Sequence, residues 1–253
     1  MNILVITQDE PFYLKDNFNY LINILPKKHK IVGCVVSHPS PYGKKERFFK
    51  KSFKTLKIFG LKFFIYYGIK FILSKIFDSS IKTLLKKKSI PIIQIRGSIN
   101  SAESLKLINS YKPDLLVSIL GNQIFKKRLI NLAPKGCINL HTALLPKYRG
   151  LMPTFWVLKN DEKYTGISVF FVDEGIDSGP IIVQKKIEIN TMTQKQLILK
   201  TKKIGMELIV DAINLIHKKK VKLIPNPHEK STYFSFPKKK DVIEFKRKGK
   251  KFF

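Results

Sequence analysis

Five short runs of almost unbroken apolar residues constrain this chain more than any other feature: NILVIT (2–7), KIVGCVVS (30–37), IPIIQI (90–95), PDLLVSIL (113–120) and GCINLH (136–141). Each is too short for a helix buried on all sides. None alternates as a half-exposed strand would, so each reads as a strand covered on both faces. Stretches with helical apolar spacing lie among them: NFNYLINIL (17–25), SAESLKLINSY (101–111), with Ser101 and Ser104 as candidate caps, and FKKRLINL (125–132). Strand and helix in alternation build a parallel sheet with crossover helices. Further on, PTFWVLKN (153–160) reads as a helix with Pro153 in its first turn. TGISVFFVD (165–173) alternates like a strand, GPIIVQKKIEI (179–189) is its expected antiparallel partner, and 193–220 is a long amphipathic helix. The expected fold class is α/β, a mostly parallel sheet flanked by helices. At 253 residues and 44% hydrophobic, the chain suits one large domain over 1–220 and a short basic C-terminal extension over 221–253.

Residues 44–88 interrupt this rhythm with a Lys- and Phe-rich helical insertion. Its uncharged runs are too short to span a bilayer. Two readings fit: two or three helices covering the sheet with lysine stems laid along apolar surface, or a peripheral contact with a membrane, aromatic face down. The formal net charge of +30 also has two readings. One is attraction to a polyanion, nucleic acid or anionic membrane; the other is lysine solvated all over the surface. Two cysteines without C-x-x-C spacing exclude a disulfide framework. The five histidines form no metal-binding pair, so no metal site is expected. The start MNILVITQDE lacks the basic and long apolar regions of a secretory signal, and a cytoplasmic location is expected.

Asn139, His141 and Asp177 are the candidate catalytic residues. The first two stand two apart at a strand end, where extended geometry sends both side chains to one side. Carboxyl ends of parallel strands are where α/β proteins place ligands. Asp177 lies in DEGIDSGP (173–180), a glycine-punctuated acidic loop between two apolar runs. An amide, an imidazole and a carboxylate suit acyl transfer to an amine: the first two donate to an oxyanion, and the carboxylate takes the amine's proton. No serine or cysteine nucleophile is needed. The structural alternative is a satisfied core histidine and a turn aspartate.

The segment 136–184 resembles the folate-dependent formyltransferase family, which includes methionyl-tRNA, glycinamide ribonucleotide and nucleotide-sugar N-formyltransferases. The resemblance is carried by NLHTALLP, similar to the family's N-x-H-x-S-L-L-P signature, and by the downstream D-x-G loop. It implies a Rossmann-like formyltransferase fold, Asn139, His141 and Asp177 as the catalytic trio, and 10-formyltetrahydrofolate as formyl donor. It assigns Asn122, Gln123 and Ile124 to the folate site, largely through backbone groups, with the 173–177 loop, including Asp173, closing the other side. One departure stands out: Ala143 replaces the usual Ser, beside Thr142. The first loop, TQDEPFYLKD, has two acids and no glycine, unlike glycinamide ribonucleotide enzymes. A tail of 33 residues after 220 is shorter than the barrel of the tRNA enzymes, which favours a nucleotide-linked amino sugar as acceptor. The alternatives are a methionyl-tRNA formyltransferase-like enzyme, favoured by charge, and a non-catalytic binding protein on this fold. Which sugar, and the oligomeric state, are left open.

Overall fold

The computed structural model describes residues 1–39 and 48–253. Among these, the strands are β1 (Asn2–Gln8), β2 (Lys30–Ser37), β3 (Ile92–Ile93), β4 (Leu115–Ile119), β5 (Cys137–His141), β6 (Arg149–Gly150), β7 (Tyr164–Phe171), β8 (Ile181–Glu188) and β9 (Tyr233–Phe234). The helices are α1 (Leu14–Ile24), α2 (Phe48–Phe59), α3 (Leu61–Ile76), α4 (Ile81–Lys87), α5 (Ala102–Ser110), α6 (Lys127–Ile130), α7 (Pro153–Lys159), α8 (Gln194–His217) and α9 (Lys239–Arg247). The main sheet runs β3-β2-β1-β4-β5-β7-β8, and β6 pairs with β9 separately. Pairings from β3 through β5 are parallel; β5–β7 and β7–β8 are antiparallel. The α/β class expected from the sequence is the observed one.

The sheet is covered on both faces, as its uniformly apolar strands require. Along β1, Ile3 and Val5 join one core with Leu14 and Phe18 of α1, Ile81 and Leu85 of α4 and Ile209 of α8. Leu4 and Ile6, pointing the other way, join a second core with Ile108 of α5 and Leu129 of α6. Thr193 and Gln196 start α8 with a reciprocal capping box, worth about 1 kcal/mol. Gly205 lets α8 approach β5, because a Cβ there would sit 2.9 Å from a methyl of Leu140.

Several boundaries differ from the sequence reading for local reasons. The strand expected over 90–95 shrinks to Ile92–Ile93 at the sheet edge, preceded by Pro91, whose carbonyl accepts from the Cys34 amide but which has no N–H to give. Helix α1 begins at Leu14, earlier than 17, because the Glu10 carboxylate accepts from the amides of Phe12 and Tyr13 and organises the preceding turn.

The insertion expected over 44–88 is a helical run from Phe48; its residues 44–47 lie outside the described residues. Of the two readings, covering the sheet holds for α4, whose Ile81, Leu84 and Leu85 are buried in the main core. It does not hold for α2 and α3. Phe59 and Phe63 instead pack into a separate aromatic cluster with Phe155, Phe245 and Phe252. That cluster also anchors the segment after 220. The Arg149 amide donates to the Thr232 carbonyl and the Leu151 amide to that of Phe234, pairing β6 with β9. The amides of Gln194 and Lys195, unpartnered within their own helix, donate to the carbonyls of Lys251 and Phe252. The tail thus completes both a cluster and a helix start of the body it extends. No helix among the described residues is long and apolar enough to cross a membrane.

Candidate active site

A cleft of about 490 Å³ opens at the carboxyl ends of β4 and β5. Its lining includes all seven residues singled out from the sequence: Asn122, Gln123, Ile124, Asn139, His141, Asp173 and Asp177. The size and the apolar walls suit a small organic ligand.

His141 is buried at the end of β5, and one hydrogen bond and one carboxylate contact orient its ring. Nε2 lies 2.7 Å from the Tyr148 carbonyl oxygen. That oxygen can only accept, so Nε2 carries a hydrogen. Nδ1 lies 3.5 Å from Asp177 Oδ2. Tyr148 is itself held firmly. Its hydroxyl donates to Glu162 at 2.6 Å, and its ring stacks on Phe234 at 5.2 Å. Burial and the Glu162 bond push its phenol up to about 12.

Asp177 Oδ2 also accepts from the Gly150 amide at 2.9 Å, whereas Oδ1 accepts no hydrogen bond among the described residues. The residue has φ +49°, a left-handed conformation that aspartate tolerates better than most. Two features hold this turn. A Cβ on Gly179 would lie 1.8 Å from the Phe171 carbonyl oxygen, so only glycine fits. Asn226, from the tail, donates through Nδ2 to the carbonyls of Asp177 and Gly179, each at 2.9 Å. Arg149, buried, donates to Asn226 Oδ1 at 2.8 Å and so orients the amide. Asn226 and Arg149 were not among the residues singled out from the sequence. The only sequence hint is the turn-forming Asn-Pro of PNPH.

Asn139 enters the same cleft, and among the described residues nothing accepts or donates a hydrogen bond to its amide. The three candidate catalytic side chains thus meet around one space. The 122–124 segment forms another part of the lining, with its side chains turned to structural duty. Asn122 accepts from Ser37 Oγ and donates to the His38 carbonyl; Gln123 accepts from the Ile99 amide. Ile124 stays half-exposed, and its carbonyl accepts from Asn100. Asp173 is spent within its own loop, accepting from the Gly175 amide and from Ser178 Oγ. Ala143 is fully buried. The hydroxyl that organises its surroundings comes from Ser168 of β7, which donates to the Ala143 carbonyl and accepts from the Leu145 amide and Gln184 Nε2.

From the α1 and α8 side the cleft gains Asn17, Lys202 and Met206, and from the tail Phe236. Burial lowers the pKa of Lys202, opposed by the charge of Glu10. Among the described residues no group of three or more His, Cys, Asp or Glu side chains is placed to hold a metal ion.

Comparison with known proteins places this geometry. The model of the family described as "Formyl transferase" matches residues 74–213, more than half of the chain. A methionyl-tRNA formyltransferase of Kosmotoga olearia is 36% identical over 173 residues, which cover 67% of this chain and 54% of that protein. The chain spans about half the length of the curated relatives it matches. Among solved structures, a sugar N-formyltransferase from Shewanella superposes with a TM-score of 0.62 at 18% identity, covering 97% of this chain and 86% of that one. A phosphoribosylglycinamide formyltransferase from Bacillus halodurans superposes at 0.60 and 18% identity, covering 87% and 95%. Proteins named for three different acceptors therefore resemble this chain, and fold alone does not choose among them.

Proposed function

The chain belongs to the formyl transferase family, and from that premise we propose that it moves a formyl group from 10-formyltetrahydrofolate to the primary amine of a nucleotide-linked amino sugar. The observation that carries the chemistry is the convergence of Asn139, His141 and Asp177 on one cleft, with Asp177 Oδ2 3.5 Å from His141 Nδ1. The acceptor's nitrogen attacks the formyl carbon, and the carbonyl oxygen gains negative charge. The amide of Asn139, without a hydrogen-bond partner among the described residues, donates to that oxygen, and the imidazole of His141 lines the same cleft, held between the Tyr148 carbonyl and Asp177. Asp177, whose Oδ1 accepts no hydrogen bond among the described residues, takes the proton the nitrogen sheds, directly or through water. The bond to the folate nitrogen then breaks, that nitrogen takes back the proton held by Asp177 or by water, and tetrahydrofolate leaves. The 120–124 segment and the 173–177 loop hold the pterin, the first mainly through backbone groups because its side-chain amides are already engaged.

Two features support a sugar nucleotide as acceptor. Phe236 and the Lys202 amine give the cleft a flat apolar surface and a hydrogen-bond donor, which suit a base and a diphosphate. Lys54 lies 5.9 Å from the Phe236 ring centre and adds to the positive field there. Glu10 argues against a phosphate at the start of α1, because its own carboxylate already accepts from the Phe12 and Tyr13 amides. A second reading, transfer to an aminoacylated tRNA, is favoured by the net charge of +30 and by the curated relatives at 36% identity. The test is incubation with 10-formyltetrahydrofolate and, separately, dTDP- and UDP-linked amino sugars and methionyl-tRNA, read by mass spectrometry. A formylated sugar nucleotide is expected. Formyl-methionyl-tRNA as sole product would overturn the acceptor, and no formylated product from any amine would overturn the reaction.

A further inference from the structure

We propose that the outer face of the α2–α3 hairpin docks this protein on the surface of an anionic lipid bilayer. The hairpin's inner face is well anchored. Phe63 of α3 stacks on Phe59 at 4.4 Å, Tyr66 stacks on Phe253 at 3.9 Å, and Tyr67 shares a hydrogen bond with Tyr13. These contacts fix which side of α3 faces the body. The opposite side carries Leu61, Ile65, Ile69, Ile72, Leu73 and Ile76, each between 44% and 67% exposed. At 3.6 residues per turn, these positions span an arc of about 120° along the whole helix. Phe53 of α2 is exposed as well, at 68%. A continuous aliphatic stripe of this length is unusual on a surface that only meets water.

The charge around the stripe selects the occupant. Residues 48–77 contain seven lysines and no aspartate or glutamate. Lys62 and Lys75 are exposed on α3 itself, and Lys50, Lys54 and Lys57 on α2. Aliphatic side chains among acid-free lysines match the acyl–headgroup boundary of an anionic bilayer, which takes both. A second copy of the same face would bring like charges together. A nucleic acid would use the lysines and could stack bases on the exposed Phe49, Phe53 and Phe77, but would leave the aliphatic stripe of α3 in water. The hairpin borders the cleft, since Lys51 of α2 is part of its lining. Docking there would bring the cleft close to the bilayer without any segment crossing it. This inference does not depend on the formyl-transfer reading.

Flotation of the full chain with vesicles tests it. With phosphatidylglycerol–phosphatidylcholine vesicles the protein is expected to rise with the lipid; with phosphatidylcholine alone it should stay at the bottom. The double substitution Ile69→Asp/Ile72→Asp is expected to weaken anionic-vesicle binding about tenfold or more, with an unchanged melting curve. A second variant, Lys62→Ser/Lys75→Ser, guards against a folding defect in the first and should weaken binding in the same sense. Absence of flotation, or flotation equal in wild type and both variants, would overturn the proposal. So would a dimer, or tRNA retention, that is lost in the Ile69→Asp/Ile72→Asp protein while vesicle binding is never seen.

Discussion

Asn226 offers the sharpest probe of how the cleft is organised. Its amide donates to the Asp177 and Gly179 carbonyls and accepts from Arg149, three bonds through one side chain. Substituting Ala removes all three. At roughly 0.5–1.5 kcal/mol each, and with part of buried Arg149 left unsatisfied, the loss is about 2–4 kcal/mol. Substituting Asp separates the parts: the carboxylate keeps the Arg149 pairing but faces the two loop carbonyls with acceptors only. Both variants should free the 173–179 turn, so that Asp177 leaves its place beside His141. A displacement of about 1 Å costs roughly a hundredfold in rate, so both variants should lose formyl transfer by about that factor. The melting temperature should fall by several degrees in Asn226→Ala and less in Asn226→Asp. Steady-state transfer from 10-formyltetrahydrofolate and differential scanning calorimetry on the same preparations read both quantities. Unimpaired turnover in Asn226→Asp, with the protein folded, would refute the idea that this amide positions Asp177.

Two other outcomes follow from single contacts. Asn139→Ala should lower kcat by roughly a hundred- to a thousandfold with little change in melting temperature, since its amide makes no hydrogen bond among the described residues; fluorescence-detected unfolding beside a kinetic assay checks both. His29 is buried, donates from Nε2 to Asn214 Oδ1 at 3.2 Å, and leaves Nδ1 without a hydrogen-bond partner among the described residues. Burial lowers its pKa below the ordinary 6.5. The unfolded chain then binds the proton more readily than the folded one, so stability should fall as pH drops from about 6.5 through the lower folded value. His29→Leu should flatten that part of the pH–stability curve measured by urea unfolding, and an unchanged slope would show that this imidazole is not responsible.

The sheet was legible because burial on both faces demands strands apolar at every position, and that pattern survives in one dimension. So were Asn139 and His141, whose spacing of two at a strand end states their common direction. Other parts depend on distant partners. The edge strand near Ile92 is short because its neighbour is Pro91, a local signal that an apolar run conceals. Which apolar residues of α3 face water depends on where Phe252 and Phe253 dock, nearly two hundred residues along the chain. The same holds for Asn226, which reaches back 49 residues to Asp177. Its type and spacing announce a turn, and only the fold shows what it grips. The hydroxyl that bonds the Ala143 carbonyl belongs to Ser168, on a strand where it had no sequence reason to stand out.

The central claim is that Asp177 acts on the reacting amine rather than merely shaping a turn. Asp177→Asn keeps an oxygen for the Gly150 amide and nearly the same volume while removing the base. Single-turnover formyl transfer, measured beside tetrahydrofolate binding by titration calorimetry, separates the two roles. Folate affinity within about threefold of wild type, with transfer slowed roughly a thousandfold or more, is the expected result. Transfer at the wild-type rate with affinity intact would contradict it.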